Sequence, residues 1–355
     1  MMAVHNGEPF VGKSVQSILG QTFTDFELLV IDDGSTDGSR RIIRSIADSR
    51  IRLILNGENR GLTPSLNRGL AEATGEFVAR IDADDIALPQ RLARQVTYLD
   101  KHPDITLVGS GYREIDVSGH PGSKHHPPSK HFQLLWSLIF HCPFLHSSTL
   151  WRRDPVAKEV GLYSPSFNYA MDWDYWSRIG ARLRMASIPD VLVEYRIGPQ
   201  SMTATHPRVE AETAAARRVS MVAFFGETRT SDWIGDDGKL FSIIDGWDSE
   251  STEDDILSVL RIISDIHRAF VDETGLVGEE RIKIQNWINQ WTAQRLLHWA
   301  QRAHRTHGHQ FGRTLFREAW RVHPRILATP TLGKHLLSSV AGSLLRARRS
   351  QWGIH

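Results

Sequence analysis

The chain predicts an α/β protein, a mostly parallel sheet flanked by helices with a mainly helical region after it. Three observations lead there. Short apolar runs alternate with stretches of helical period through the first hundred residues. Two of those runs end in clustered aspartates, Asp32 and Asp33 and then Asp82, Asp84 and Asp85. Beyond residue 205, apolar residues such as Ile256, Leu257, Leu260 and Ile263 recur at helical spacing.

The elements follow in order. Leu28 to Ile31 is a strand that runs into Asp32, Asp33 and a Gly/Ser/Thr turn; Ile42, Ile43 and Ile46 then share one face of a helix expected over residues 38 to 47. RIRLILN, residues 50 to 56, is the next strand, and LTPSLNRGLAEA, residues 62 to 73, the next helix. Gly75 opens a strand of Phe77, Val78, Ala79 and Ile81 that delivers the second acidic cluster. Such alternation builds a parallel sheet, and these sheets bind ligands outside the carboxyl ends of their strands.

Three carboxylates at the mouth of an apolar strand repel one another and lose hydration, and a divalent cation is the usual compensation. Mg²⁺ and Mn²⁺ take oxygen ligands and favour one or two carboxylates plus substrate phosphates. Asp82-x-Asp84 is therefore a candidate metal and diphosphate site. The alternative is an acidic turn with Asp85 capping the next helix and Pro89 in its first turn.

Four fragments, in order and over residues 2 to 200, carry a resemblance: HNGEPFVGKSVQSILGQTFTDFELLVIDDGSTDGS, NRGLTPSLNRGLAEATGEFVARIDADDIALPQRL, PFLHSSTLWRRD and YAMDWDYWSRIG. The chain resembles a family 2 glycosyltransferase with a nucleotide-sugar-binding fold of the GT-A type. The resemblance implies inverting transfer of a sugar from a nucleotide diphosphate donor, with Asp33 facing the base, Asp82 the ribose and metal, and Asp84 the metal-bound diphosphate. Asp172 matches the catalytic carboxylate, the base that a single displacement requires, while Met171 stands where the family usually has Glu. On its own, that segment also reads as a helix capped by Asp172, with Trp173, Trp176 and Ile179 in the core. His146 and the pair Tyr195 and Arg196 match family positions. His146 would contact diphosphate or acceptor, or else pack through a hydrogen bond. Arg196 would meet phosphate, or else pair with Glu194 or another carboxylate. Asn67 matches a family Asn on the helix before the acidic cluster, with helix packing its expected role.

The resemblance also implies a full first strand, central in the sheet, where only Met1 to Val4 precede His5, Asn6 and Gly7. Losing such a strand exposes backbone and apolar surface at several kcal/mol or more. The expectation is a late start, or four residues pairing as a stub.

Composition bounds the rest. At 355 residues, the chain is long enough for a catalytic domain over 1–205, an acidic helical linker or cap over 206–280 and a basic, Trp-rich helical region over 281–355. A single cysteine, Cys142, excludes a disulfide scaffold and suits a reducing cytoplasm. No signal peptide is visible, and no run approaches the roughly 18 apolar residues of a membrane span. The net charge of +1 hides an asymmetry: residues 231 to 280 carry a net −11, and residues 281 to 355 a net +12. Basic residues, Trp287, Trp291 and Trp299, and an apolar helix expected over 332 to 349 fit peripheral contact with an anionic membrane. Docking of the basic helices on the acidic ones is the other reading. Nucleic acid is not an expected partner, because no recognised module accompanies the charge. The expected partners are a nucleotide-sugar donor and a saccharide or lipid-linked acceptor in cell-surface polysaccharide or glycolipid synthesis. A catalytically impaired binding protein and a nucleotidyltransferase are the alternatives.

Overall fold

The computed structural model describes residues 1–198, 209–235, 239–246, 252–306 and 309–324. Two compact units divide at Gly226.

The first unit opens with the predicted alternation. Strand β1 (Met2–Val4) lies parallel to β2 (Leu28–Asp32), and β2 parallel to β3 (Ile51–Leu55), with Val4, Asp32 and Leu55 in register at their carboxyl ends. Helix α1 (Val11–Leu19) places Val11, Val15 and Ile18 on one stripe, and with Ile43 of α2 (Ser39–Ser45) they bury against Met2, Val4, Leu28 and Val30. Helix α3 (Leu62–Glu72) packs on β1 and β2 through Leu66 and Gly69. A Cβ at Gly69 would lie 2.4 Å from Met1 Sδ and 2.9 Å from Ile31 Cδ1, so any larger residue would push these two side-chain ends aside.

After β4 (Phe77–Ala79) the topology changes. β5 (Ile86–Ala87), β6 (Ile105–Ile115), β7 (Pro121–His125), β8 (Leu150–Arg152) and β9 (Arg184–Arg196) form a mixed sheet in the order β4-β8-β6-β9-β5, with β7 on β6. Only β6 and β9 run parallel within it. Met1 joins the two sheets: its amino group donates to Ala79 O at 2.8 Å, and Ile81 N–H donates to Met1 O at 3.1 Å. Residues 1 to 4 are thus bonded on both sides, to β2 and to the segment that follows β4. Helices α4 (Arg91–Lys101), α5 (His131–Phe140), α6 (Arg153–Glu159), α7 (Met171–Gly180) and α8 (Val209–Phe225) complete the unit. The expected capping of the next helix by Asp85 is not found. Helix α4 starts at Arg91 after Gln90, and β5 intervenes.

The second unit is helical: α9 (Glu227–Ile234), α10 (Lys239–Gly246), α11 (Glu253–Glu273), α12 (Gly278–Thr306) and α13 (His309–Val322). Thr252 and Asp255 form a reciprocal capping box that starts α11, and Ile256, Val259, Ile263, Ile266 and Phe270 bury at helical spacing. Arg281 of α12 bonds Asp272 of α11 at 2.7 Å across the turn that joins the two helices. Trp299 is buried, Trp287 and Trp291 half-buried. The helix expected over 332 to 349 lies outside the described residues. No described helix is long and apolar enough to cross a membrane.

Candidate active site

A cavity of about 910 Å³ opens at the carboxyl ends of β1 and β2 and beside the acidic cluster, with His5, Asp33, Asp82, Asp84, Tyr169 and Arg196 in its wall. A second cavity of about 540 Å³, at the other end of β1, is walled mainly by apolar groups such as Phe26, Leu28, Phe77 and Leu150, and none of the expected site residues lines it.

Asp33 is buried and already engaged. Its carboxylate accepts from Asn56 Nδ2 at 2.7 Å and from the backbone N–H groups of Arg60 at 3.0 Å and Gly61 at 2.8 Å. It thereby fixes the loop before α3 as a cavity wall. The neighbouring Asp32 pairs with Arg40 at 2.7 Å, away from this wall. On the opposite loop, His5 Nδ1 bonds Asp33 O at 2.8 Å, and Asn6, at φ 54°, accepts from Thr36 N at 2.9 Å.

Asp82 is held by Arg80, whose fully buried guanidinium bonds one carboxylate oxygen, and by Ser147 Oγ, which donates to the other at 3.0 Å. Burial pushes its pKa up, but the charges of Arg80 and nearby groups outweigh that and leave it below the ordinary value. Asp84 is half-buried in the cavity wall, and no side chain among the described residues donates to its carboxylate. Burial, then the charge of Asp82, raises its pKa to about 6. Asp85 is fully buried and accepts Arg196 N–H at 2.9 Å; burial and then its two acidic neighbours push it well above the usual range.

Arg196 does not pair with Glu194, which Arg113 takes instead. Its guanidinium donates to three backbone carbonyls, Asp84 O at 2.9 Å, Asp116 O at 2.8 Å and Val117 O at 3.2 Å, and lies 4.5 Å over the Phe10 ring. Its hydrogen-bond partners among the described residues are carbonyls, and its charge acts through space on the Asp84 carboxylate, so both groups face the cavity wall.

His146 lies behind the wall. Its Nε2 bonds Tyr163 Oη at 2.9 Å, and burial, then the charge of Arg80, lowers its pKa to about 3, so it is neutral. Asn67 exchanges two 2.9 Å bonds with the Tyr163 backbone, and Tyr195 packs edge-on against Tyr112. Asp172 stands in the first turn of α7, half-buried, and accepts Trp173 N–H at 2.7 Å; it does not cap the helix, which Ala170 precedes. Trp173, Trp176 and Ile179 pack in the core as expected. Burial raises Asp172 to about 6, and the charge of Asp82 adds to this, so the two carboxylates are within electrostatic reach. Met171 is buried, and just ahead of the helix Glu212 of α8 accepts the N–H groups of Asn168, Tyr169 and Ala170.

Reading the sequence singled out neither Arg80, Ser147 nor Glu212. Arg80 carries a visible signal, a cation inside the apolar run before Asp82, whereas Ser147 and Glu212 arrive only through the fold.

Among the described residues no three His, Cys, Asp or Glu side chains gather into a cation cage. Asp84, whose carboxylate receives no side-chain donor among the described residues, and Asp82 still suit Mg²⁺ or Mn²⁺, which complete their shells with phosphate oxygens and water.

The chain is similar to known glycosyltransferases in sequence and in fold. The family model described as glycosyl transferase family 2 matches residues 1–161. An uncharacterised glycosyltransferase of Haemophilus influenzae is 33% identical over 63% of this chain and 73% of its own. The O-antigen biosynthesis glycosyltransferase WbnJ of Escherichia coli is 32% identical over 57% of this chain and 80% of its own. The structure of the mannosyltransferase PcManGT of Pyrobaculum calidifontis, solved with GDP-Man and Mn²⁺, superposes with a TM-score of 0.50 at 15% identity, over 92% of this chain and 85% of that one.

Proposed function

Because the chain belongs to glycosyl transferase family 2 and has its GT-A fold, we propose that it transfers a sugar with inversion from a nucleotide diphosphate donor to an acceptor hydroxyl, within the unit of residues 1–226. The observation that carries this reading is the division of labour between two carboxylates. Asp84 lines the cavity with no side-chain donor on its carboxylate among the described residues, while Asp172 opens the helix that follows the cavity-lining Asn168 and Tyr169.

In this reading Asp33 and its loop frame the base end of the donor, and Arg196 faces the diphosphate. Asp84, with Asp82, holds Mn²⁺ or Mg²⁺, which when bound neutralises charge on the leaving diphosphate. The acceptor oxygen forms a bond to the anomeric carbon as the bond to the diphosphate oxygen breaks. Its proton passes to ionised Asp172, and the nucleotide diphosphate leaves with the bonding pair. The neighbour solved with GDP-Man and Mn²⁺ supports the donor class and the metal. The O-antigen relative supports an acceptor in cell-surface polysaccharide or glycolipid synthesis. The net +12 over residues 281 to 355 supports work at the cytoplasmic face of an anionic membrane.

A panel of nucleotide sugars with Mn²⁺ and candidate acceptors, read by release of nucleotide diphosphate and by proton NMR of the product, tests this. An α-linked donor should give a β-linked product. A product that keeps the donor's configuration defeats the inverting assignment.

A further inference from the structure

Glu212 lies well beyond the motif that carries Asp172, yet one of its carboxylate oxygens collects three successive backbone donors: Asn168 N–H at 2.8 Å, Tyr169 N–H at 2.7 Å and Ala170 N–H at 3.2 Å. Ala170 is the residue that caps α7, and Asn168 and Tyr169 precede it, so the carboxylate sits at the end of the helix where the dipole favours an anion. Consecutive N–H groups turned on one oxygen form a tight, charge-assisted clasp.

The clasp belongs to a longer seam. One stripe of α8 meets α7 in ascending order: Glu212 at residues 168 to 170, Arg217 with its guanidinium 5.4 Å over the Trp173 ring, and Ser220 bonded to Ser177 at 2.5 Å. Arg217 also donates to Phe140 O at 3.0 Å, which ties the seam to α5. From the other side, α3 holds the same segment through Thr63 Oγ1, which donates to Phe167 O at 2.6 Å, and through Asn67 on Tyr163. The segment that ends in Asp172 is thus gripped between α3 and α8. Asn168 and Tyr169 line the cavity, and Asp172 follows Ala170 by two residues.

We propose that Glu212 is a positioning residue for the acceptor side of the reaction: by gathering the N–H groups of 168 to 170 it sets the cavity wall at Asn168 and Tyr169 and the place of Asp172. The inference rests on the reading of Asp172 as the base. It assigns a role in turnover to a side chain that touches neither donor nor metal ligands. A reacting group displaced by about 1 Å loses roughly 10²-fold in rate, and releasing three donors at once permits such a shift.

The test uses the full chain with the nucleotide sugar and acceptor that the wild type accepts. Glu212→Ala should lower kcat/KM for the acceptor by tenfold or more, leave the Kd for UDP with Mn²⁺ within twofold, and speed hydrogen exchange at residues 168 to 170. Glu212→Gln keeps an acceptor oxygen in place and should recover most of the lost turnover, which separates the clasp from general loss of folding. Faster exchange with unchanged turnover would show a structural tie only and overturns the proposal; so does an equal loss of UDP affinity, which would put Glu212 on the donor side. If Asp172→Asn leaves turnover intact while Glu212→Ala reduces it, the assignment of the base fails and the clasp acts through the cavity wall instead.

Discussion

Arg196 holds Asp84 by its carbonyl, not by its carboxylate: the guanidinium Nε donates to Asp84 O at 2.9 Å, and the Arg196 backbone N–H reaches the next carboxyl, Asp85, at 2.9 Å. The end of β9 therefore locks the acidic loop while leaving both the Asp84 carboxylate and the Arg196 charge available to a ligand. Arg196→Lys cannot reproduce a fork that spans Asp84, Asp116 and Val117. UDP affinity should fall about tenfold, about 1.4 kcal/mol, with thermal stability lowered as well; calorimetry showing wild-type affinity would remove Arg196 from the diphosphate.

Donor binding should depend on metal through Asp84. Asp84→Ala is expected to weaken UDP binding in Mn²⁺ by tenfold or more, about 1.4 kcal/mol, and to abolish the difference between Mn²⁺ and EDTA. Equal affinity of the wild type in both conditions would count against a metal site.

Asp172→Asn should cut turnover by about 10² to 10⁴, the range for general acid-base catalysis, and spare nucleotide affinity. Because burial raises the Asp172 pKa to about 6, the base is protonated below that pH. Turnover of the wild type should fall as pH drops through about 6. A flat profile down to pH 5, with chemistry rate-limiting, would point to another proton acceptor.

The same substitution should stabilise the protein. A carboxyl whose folded pKa lies above its unfolded value favours folding at low pH, and that contribution is lost as pH rises through about 6. A shift of about two pH units corresponds to about 3 kcal/mol at most, and the half-buried side chain draws this toward about 1 kcal/mol. Asp172→Asn keeps an oxygen for Trp173 N–H, so it should melt higher than wild type at pH 8 and equally at pH 4. Denaturation at both values checks the sign.

Vesicles rich in phosphatidylglycerol should co-sediment with the full chain at low salt, less so at high salt and after deletion of residues 332 to 355, since Lys or Arg near such a surface contributes about 1 kcal/mol each. Absence of binding by folded protein at low ionic strength leaves Arg281 and its basic neighbours to intramolecular packing such as the bond to Asp272.

The order β2, α2, β3, α3, β4 was legible because each element carries its own local period, and the acidic loop because it interrupts an apolar run. The mixed sheet was not. β4, β5 and β8 are two or three residues long, too short to show alternation, and their partners lie far along the chain. The expected linker from residue 206 also cut through a packed unit: the acidic excess starts only near residue 231, and α8 packs its Ala216, Met221 and Phe225 within the first unit. No local pattern links Glu212 to Asn168, because that contact exists only once α7 and α8 lie side by side.

The burial of Asp85 changes how the mouth of the cavity looks to an approaching ion. In sequence the loop presents three negative charges. In the fold Asp85 is driven toward its neutral form, Asp82 is matched by Arg80, and Arg196 contributes a cation whose partners are uncharged. The opening therefore repels a nucleotide diphosphate less than three exposed carboxylates would, even before a cation joins it. Its capture rate should accordingly depend on ionic strength less steeply than the sequence alone suggests, since long-range steering is the part of association that salt screens.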